Sequence, residues 1–270
     1  MSSAIVLDDV GKDYEVDGAP PKTALTPTGL EIRPGEFFSL VGPSGCGKTT
    51  LLNLVAGLID PTSGRVKVGE RVVDGPDRAV GIVFQRATLL RWRTVLDNVL
   101  LPARIGGRVG RPVVERAEHL LELTGLAQYR DRYPDELSGG MQQRASIARA
   151  LTLGPNVLLM DEPFSALDEF TRETLNDELA RIWSESPMTV LFITHNIAEA
   201  IYLSDRVGVM QANPGRLETT IEIDLERPRT DAVRNDPRFF EYMRRIRETI
   251  GHTGAAAQHD PRTDRSRGAA

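Results

Sequence analysis

FFSLVGPSGCGKTTLLNLVAGL, residues 37–58, constrains the fold of this 270-residue chain more than any other stretch. FFSLV at 37–41 is a short apolar run ended by Gly42, which suits a buried strand. A helix, TTLLNLVAGL, follows. Between them stands Gly42-x4-Gly47-Lys48-Thr49. Glycines let a loop backbone wrap a phosphate closely, a lysine reaches β- and γ-phosphates, and a hydroxyl ligates Mg²⁺. The pattern therefore predicts a nucleotide phosphate cradled by Gly42, Pro43, Ser44, Gly45, Cys46, Gly47, Lys48, Thr49 and Thr50. Cys46 lies within this loop, at a helix N-terminus and beside Lys48, surroundings that favour a thiolate.

The rest of the chain supplies a matching sheet. Residues 4–8, 23–32 and 65–74 alternate as β-strands do, and RVKVGERVVDG reads as a hairpin turning at Gly69-Glu70. VGIVF at 80–84, VLLMDEP at 157–163, TVLFIT at 189–194 and RVGVMQ at 206–211 are further apolar strands. Residues 113–124 and 141–153 have helical spacing, and Leu175, Leu179, Ile182 and Trp183 share one helical face. Strands alternating with helices predict an α/β fold, a phosphate-loop NTPase core with a mainly parallel sheet. An N-terminal antiparallel β subdomain precedes it. The middle, about 88–155, is helical without apolar strands and reads as an inserted helical subdomain, with ARIGGRVGRP at 103–112 as a flexible connection. The domain is expected to span 4–251, and the polar, small-residue stretch 252–270 reads as a disordered tail.

Composition narrows the partners. A net charge of −5 without a basic block disfavours nucleic acid. One cysteine excludes an internal disulfide and fits a reducing compartment. The N-terminus, MSSAIVLDDVGKDYEV, has acidic residues too early for a secretory leader. No window reaches eighteen uninterrupted apolar residues, so any link to a membrane is expected through a partner.

Further residues gather at the carboxyl ends of the strands, where ligands of parallel sheets bind. Asp161 ends LLMD and can orient Mg²⁺. Glu162, next to it, can polarise an attacking water; solvated acids at a strand tip are the plainer alternative. His195 follows TVLFIT and can contact the γ-phosphate and orient Glu162, while Gln85 follows VGIVF and can sense metal or water. LSGGM at 137–141 poses a different problem. Ser138, Gly139 and Gly140 open a helix with bare N–H groups, a second anion site with no lysine and no long loop.

The phosphate loop, Gln85, LSGGM, LLMDEP, SALD at 165–168 and His195 follow the order and spacing of ABC-transporter ATPase subunits, and about residues 4–225 resemble that family. FQRATLLRWRTVLDNVLLP, TRETLNDELARIW and VMQANPGRL…DLERPR resemble the nitrate/sulfonate/taurine importer group more narrowly. Two departures stand out. Arg91 occupies a usual proline position, and Asn196 a usual aspartate position after the histidine. The resemblance implies ATP and Mg²⁺, the latter held through Thr49, Gln85 and Asp161. It also implies a head-to-tail dimer in which each ATP lies between the loop of one chain and the LSGG helix of the other. Two half-sites in one chain point to the same reciprocal pairing. Asp168 would cross that interface; a helix N-cap is its other reading.

Tyr14 resembles the family's adenine-stacking aromatic, although a half-buried strand tyrosine fits the sequence equally. Leu89, Leu90 and Trp92 beside Arg91 and Arg93 fit a groove for a coupling helix of a membrane permease, with core packing as the competitor for the leucines. In DPRFFEYMRRIRETI, Phe239, Met243, Ile246 and Ile250 share one face, as in a docked surface helix; a membrane-surface contact is the other reading. The family implies a peripheral subunit on the cytoplasmic face of the membrane, working indirectly with a solute-binding protein. A soluble non-transport ABC ATPase is the alternative. Those usually carry a second cassette or a long coiled coil, which this sequence lacks.

Overall fold

Residues 2–107 and 109–256 are described by a computed structural model. β1 (Ile5–Val16) and β2 (Ala19–Ile32) form a long antiparallel hairpin. β3 (Phe37–Val41) leads through the glycine loop into α1 (Lys48–Val55). β4 (Ser63–Val68) and β5 (Arg71–Val72) pair across a turn at Gly69-Glu70, as expected. After β6 (Val80–Val83) come α2 (Val95–Val99), α3 (Leu101–Ile105), α4 (Arg111–Leu123) and α5 (Gly139–Leu151). Then follow β7 (Val157–Asp161), α6 (Glu169–Glu185), β8 (Thr189–Ile193), α7 (Ile197–Leu203), β9 (Arg206–Gln211), β10 (Arg216–Glu222), α8 (Asp231–Arg234) and α9 (Pro237–Ala256).

The strands make two sheets, an antiparallel one ordered β2-β1-β4-β5 and a six-stranded one ordered β10-β9-β3-β8-β7-β6. In the second sheet β9, β3, β8, β7 and β6 are parallel and only β10 runs against its neighbour. The period of two explains how this sheet is sandwiched. Phe37, Val190 and Phe192 face one core with Leu175 and Leu179 of α6, Ile201 of α7 and Ile246 of α9. Phe38, Leu40, Leu191 and Ile193 face the other, with Leu51 and Leu52 of α1 and Ile5, Leu7 and Leu30 of the antiparallel sheet. β3 and β8 are buried at every position, and each large apolar side chain so buried contributes about 1.5–3 kcal/mol. Trp183 packs edge-on against Phe37 at 5.9 Å, which places it on the α6 core face as its spacing predicts.

Four departures from the sequence reading have physical causes. β1 and β2 extend across 9–22, where register shifts after Leu7, Val10 and Tyr14 break the alternation. β10 is a partly exposed edge strand whose RLETTIE carries too few apolar residues to signal itself. Ala103–Ile105 belong to α3 and Arg111 and Pro112 to α4, so both ends of the expected flexible connection are helical. α9 continues helical through 252–256, and the remainder of the expected tail, 257–270, lies outside the described residues. α9 docks by Phe239 and Ile246, with Met243 and Ile250 packed beside them. Among the described residues no helix is long and apolar enough to cross a membrane.

Candidate functional site

Register brings the separate motifs to one edge. Leu40 lies opposite Ile193, Ile193 opposite Asp161, and Met160 opposite Val83. Chain continuing past these parallel ends therefore delivers Gly42, His195, Glu162 and Gln85 along the same rim. There a cleft of about 670 Å³ is lined by the glycine loop, Tyr14, Glu162 and His195.

The loop is held open by its glycines. Gly47 has φ of 91°, and a Cβ there would stand 2.7 Å from the Ala24 carbonyl. Lys48 is only 7 % exposed, and among the described residues it forms no ion pair. Its Nζ donates instead to the carbonyls of Gly42 at 2.9 Å and Pro43 at 3.1 Å. A third, longer contact reaches Cys46 Sγ at 3.7 Å, so the buried ammonium has neutral hydrogen-bond partners and, among the described residues, no ion pair. The N-terminus of α1 adds its own preference for an anion at the same place.

Beside it, the Thr49 hydroxyl donates to Asp161 Oδ2 at 3.0 Å. Burial pushes the Asp161 carboxyl above its ordinary range; the Thr49 hydrogen bond pulls it back, the nearby Glu162 raises it, and Lys48 lowers it. A desolvated carboxylate next to a hydroxyl is a hard-oxygen pair. Mg²⁺ takes one or two such protein oxygens and completes its shell with phosphate and water, so the donor set fits that ion. Glu162 holds a left-handed φ of 44°, unusual for a non-glycine, and its N–H donates to Ile193 O at 2.9 Å. His195 Nδ1 lies 3.0 Å from Glu162 Oε2. An ionised carboxylate only accepts, so the proton of this bond belongs to Nδ1.

Cys46 overturns one expectation. Its side chain is fully buried, and desolvation raises the thiol above its ordinary value despite the opposing Lys48 charge and hydrogen bonds. A thiolate is therefore disfavoured. Tyr14 lies on β1, 41 % exposed and lining the cleft, with Lys12 Nζ 5.4 Å from the ring centre, a position that suits either of its two readings. Asn196 caps α7, its Oδ1 accepting from Ala198 N at 2.9 Å and Glu199 N at 3.2 Å, as an aspartate would.

Other predicted residues lie off this cleft. Gln85 donates to Ser165 Oγ at 3.2 Å and lines a neighbouring groove of about 400 Å³ with Leu89, Arg91 and Gly139. α5 clamps both sides of Gln85. Gln143 donates to Phe84 O at 3.1 Å, and Arg149 to Ala87 and Thr88 carbonyls, each at 2.8 Å. Buried Asn98 bonds Leu90, Arg93 and Thr94, which fixes that loop from inside and leaves Trp92 72 % exposed. Ser138 Oγ caps its own helix at Met141 N, 3.3 Å, and Asp168 caps α6 at Thr171 N, 3.0 Å. Both residues are exposed, and neither is among those that line the cleft of their own glycine loop.

The sequence reading missed one wall of the cleft: Lys22, Thr23, Ala24, Asn213, Pro214 and Gly215. The Pro214-Gly215 pair after an apolar strand signals a turn. That this turn lies against β2, with Thr26 N donating to Gly215 O at 2.8 Å, is a tertiary fact without a local signal.

Comparison with known proteins agrees with this geometry. The family profile described as ABC transporter matches residues 25–165. An uncharacterized ABC transporter ATP-binding protein of Methanocaldococcus jannaschii is 46 % identical over 91 % of each chain. The nitrate import ATP-binding protein of Synechococcus elongatus is 45 % identical over 86 % of each. The taurine import ATP-binding protein of Jannaschia sp. is 36 % identical over 94 % of this chain and all of its own. A dimeric, post-hydrolysis ATP-binding cassette bound to ADP and Pi superposes with a TM-score of 0.73 at 33 % identity, covering 82 % of this chain and 100 % of that one.

Proposed function

The chain belongs to the ABC transporter family, and on that premise we propose that it is the ATP-binding and ATP-hydrolysing subunit of an importer for a small solute of the nitrate, sulfonate or taurine kind. The observation that carries the ATPase reading is Lys48, a buried cation without a counter-charge at the floor of a 670 Å³ cleft. In this reading residues 4–251 are one ATPase domain with a helical subdomain at 88–155. The chain works at the cytoplasmic face of the membrane with a permease docked over the groove beside Gln85, Leu89 and Trp92. A solute-binding protein delivers the cargo to that permease.

Lys48 and the loop N–H groups hold the β- and γ-phosphates, and Tyr14 stacks on adenine. Thr49 and Asp161, with Gln85 nearby, would hold Mg²⁺, which when bound neutralises charge on the phosphates. Glu162 takes a proton from water as the water oxygen bonds to the γ-phosphorus and the bond to the β–γ bridging oxygen breaks, leaving ADP and phosphate. His195 holds Glu162 in place. Ser138, Gly139 and Gly140 complete the site from a second copy, and Asp168 meets that copy's glycine loop.

Mixing two inactive variants on the permease tests the shared site. Lys48→Ala and Ser138→Arg chains are expected to regain ATPase activity together, because one site of their heterodimer joins two intact halves. Wild type mixed with the double variant damages each site once and is expected to lack that recovery. The opposite ordering would refute sharing.

A further inference from the structure

His195 and Glu162 are tied to a more distant surface by a buried charge pair. Arg172, on the first turn of α6, donates from one terminal nitrogen to the Leu167 carbonyl at 2.7 Å. Its Nε lies 3.4 Å from Glu199 Oε1, with the two side chains 18 % and 5 % exposed. The other oxygen of Glu199 accepts from the Thr194 hydroxyl at 2.5 Å. That hydroxyl in turn accepts from Asn196 N at 2.9 Å, so the two residues flanking His195 are fixed through Glu199. His195 then reaches Glu162 at 3.0 Å. An unbroken set of contacts thus runs from loop 165–168 to the hydrolytic pair.

Packing alone does not account for these residue types. A buried ion pair is often no more stabilising than apolar residues of equal volume. What an arginine adds is a rigid fork that spans two acceptors at once. Here the fork joins a loop carbonyl to the carboxylate behind His195. That loop ends in the exposed Asp168, and on the adjoining first turn of α6 Phe170 is 84 % exposed.

We propose that Arg172 and Glu199 are positioning residues that couple loop 165–168 to His195, so that a second copy packed on the loop sets His195 and Glu162 in register for hydrolysis. The inference rests on the reading of the site given above. A sub-ångström shift of the loop moves the guanidinium, and the carboxylate and Thr194 follow because each is held by two partners. Neither residue touches ATP.

The test uses the full chain with MgATP and the variants Arg172→Lys, which cannot span both acceptors, and Glu199→Gln, which keeps the volume and an acceptor for Thr194. Each is expected to lower kcat about tenfold while half-saturation by ATP stays within about twofold, since misplacement acts on the transition state. The double variant is expected to be no slower than the worse single, because both changes break one link. Both are also expected to keep the ATP-driven dimer on size exclusion in a Glu162→Gln background. Unchanged kcat in both, losses that multiply to about a hundredfold, or half-saturation rising in step with the loss of kcat would each overturn the coupling. If Arg172→Lys lowers thermal stability, the near-isosteric Glu199→Gln decides. His195→Ala and Glu162→Gln are measured alongside; parent-like hydrolysis by these two would instead refute the site reading itself.

Discussion

Gly215 offers a test of how the far wall of the cleft supports the phosphate loop. It is buried where three segments meet, and its carbonyl accepts from both Thr26 N at 2.8 Å and Thr26 Oγ1 at 3.1 Å. A Cβ at this position would stand 2.2 Å from the Ala24 carbonyl oxygen and 2.5 Å from that of Cys46. Both neighbours are backbone, so no side chain can rotate away. Each oxygen must retreat by roughly 1 Å to reach ordinary contact, and overpacking of that kind costs about 1–3 kcal/mol. For a domain of this size each kcal/mol lowers Tm by about 2–4 °C. Because Ala24 and Cys46 line the cleft, the retreat also deforms the nucleotide site. We therefore predict that Gly215→Ala loses about 3–10 °C in Tm and that the ATP concentration for half-maximal hydrolysis rises about tenfold, equivalent to roughly 1.4 kcal/mol. Differential scanning fluorimetry and a coupled ATPase assay read the two effects. Gly29→Ala, on the β2 strand against which the Gly215 turn rests, is the control, since an added Cβ there meets nothing within 4 Å. A Gly215→Ala protein that melts and binds ATP like the Gly29→Ala control would refute the reasoning.

Three further outcomes follow from the same geometry. Glu162→Gln keeps a hydrogen-bonding partner for His195 but removes the base; kcat is expected to fall about 10²–10⁴-fold while a dimer persists with ATP on size exclusion, and normal turnover would assign the base elsewhere. Tyr14→Ala is expected to raise half-saturation by ATP about five- to tenfold through the loss of roughly 1–1.4 kcal/mol of stacking, with a smaller effect on kcat; an unchanged value would remove the stacking role. Cys46, buried and raised in pKa, carries less thiolate than a free thiol at any pH below its own pKa. Its labelling in the native protein at pH 8 is expected to lag a free thiol at least about tenfold, and to rise at higher pH than that thiol does; fast labelling at pH 8 would contradict the burial argument.

How much of this was legible in the sequence depends on how local each signal is. The glycine loop announces itself because strand, turn chemistry and helix are contiguous, and the five-residue runs FFSLV and TVLFI are apolar apart from Ser39 and Thr189 because both faces of the sheet are covered. Gln85, Glu162 and His195 were legible as strand-end residues, since a parallel sheet sends such positions to one rim. The wall at 213–215 was not legible, because it depends on β10 returning beside β9 to press a turn against β2. Cys46 shows the opposite error. Its neighbours in sequence argue for a thiolate, but the thiol points inward among Leu52, Leu54 and Met210, and burial outweighs a cation two residues away.

Ser138 and Asp168 bear on why, in the proposed shared site, ATP rather than the protein surfaces themselves would hold two copies together. In the single chain each already has a partner: Ser138 caps α5, and hydrogen bonds from the Thr171 N–H and then its hydroxyl hold the Asp168 carboxyl below its usual range. Neither is left wanting in a way that association would relieve. Lys48, by contrast, has hydrogen-bond acceptors but no ion pair among the described residues, and it lines the cleft, which neither Ser138 nor Asp168 does. In the proposed dimer a triphosphate would give Lys48 its counter-charge and present its γ end to the N-terminus of a second α5. Association would thus depend on an anion that only one chain binds tightly, and loss of the cleaved phosphate would remove the group that both chains share in that arrangement. Opening would then follow departure of the cleaved phosphate rather than the bond cleavage itself, in keeping with a solved cassette that is still dimeric with ADP and Pi bound.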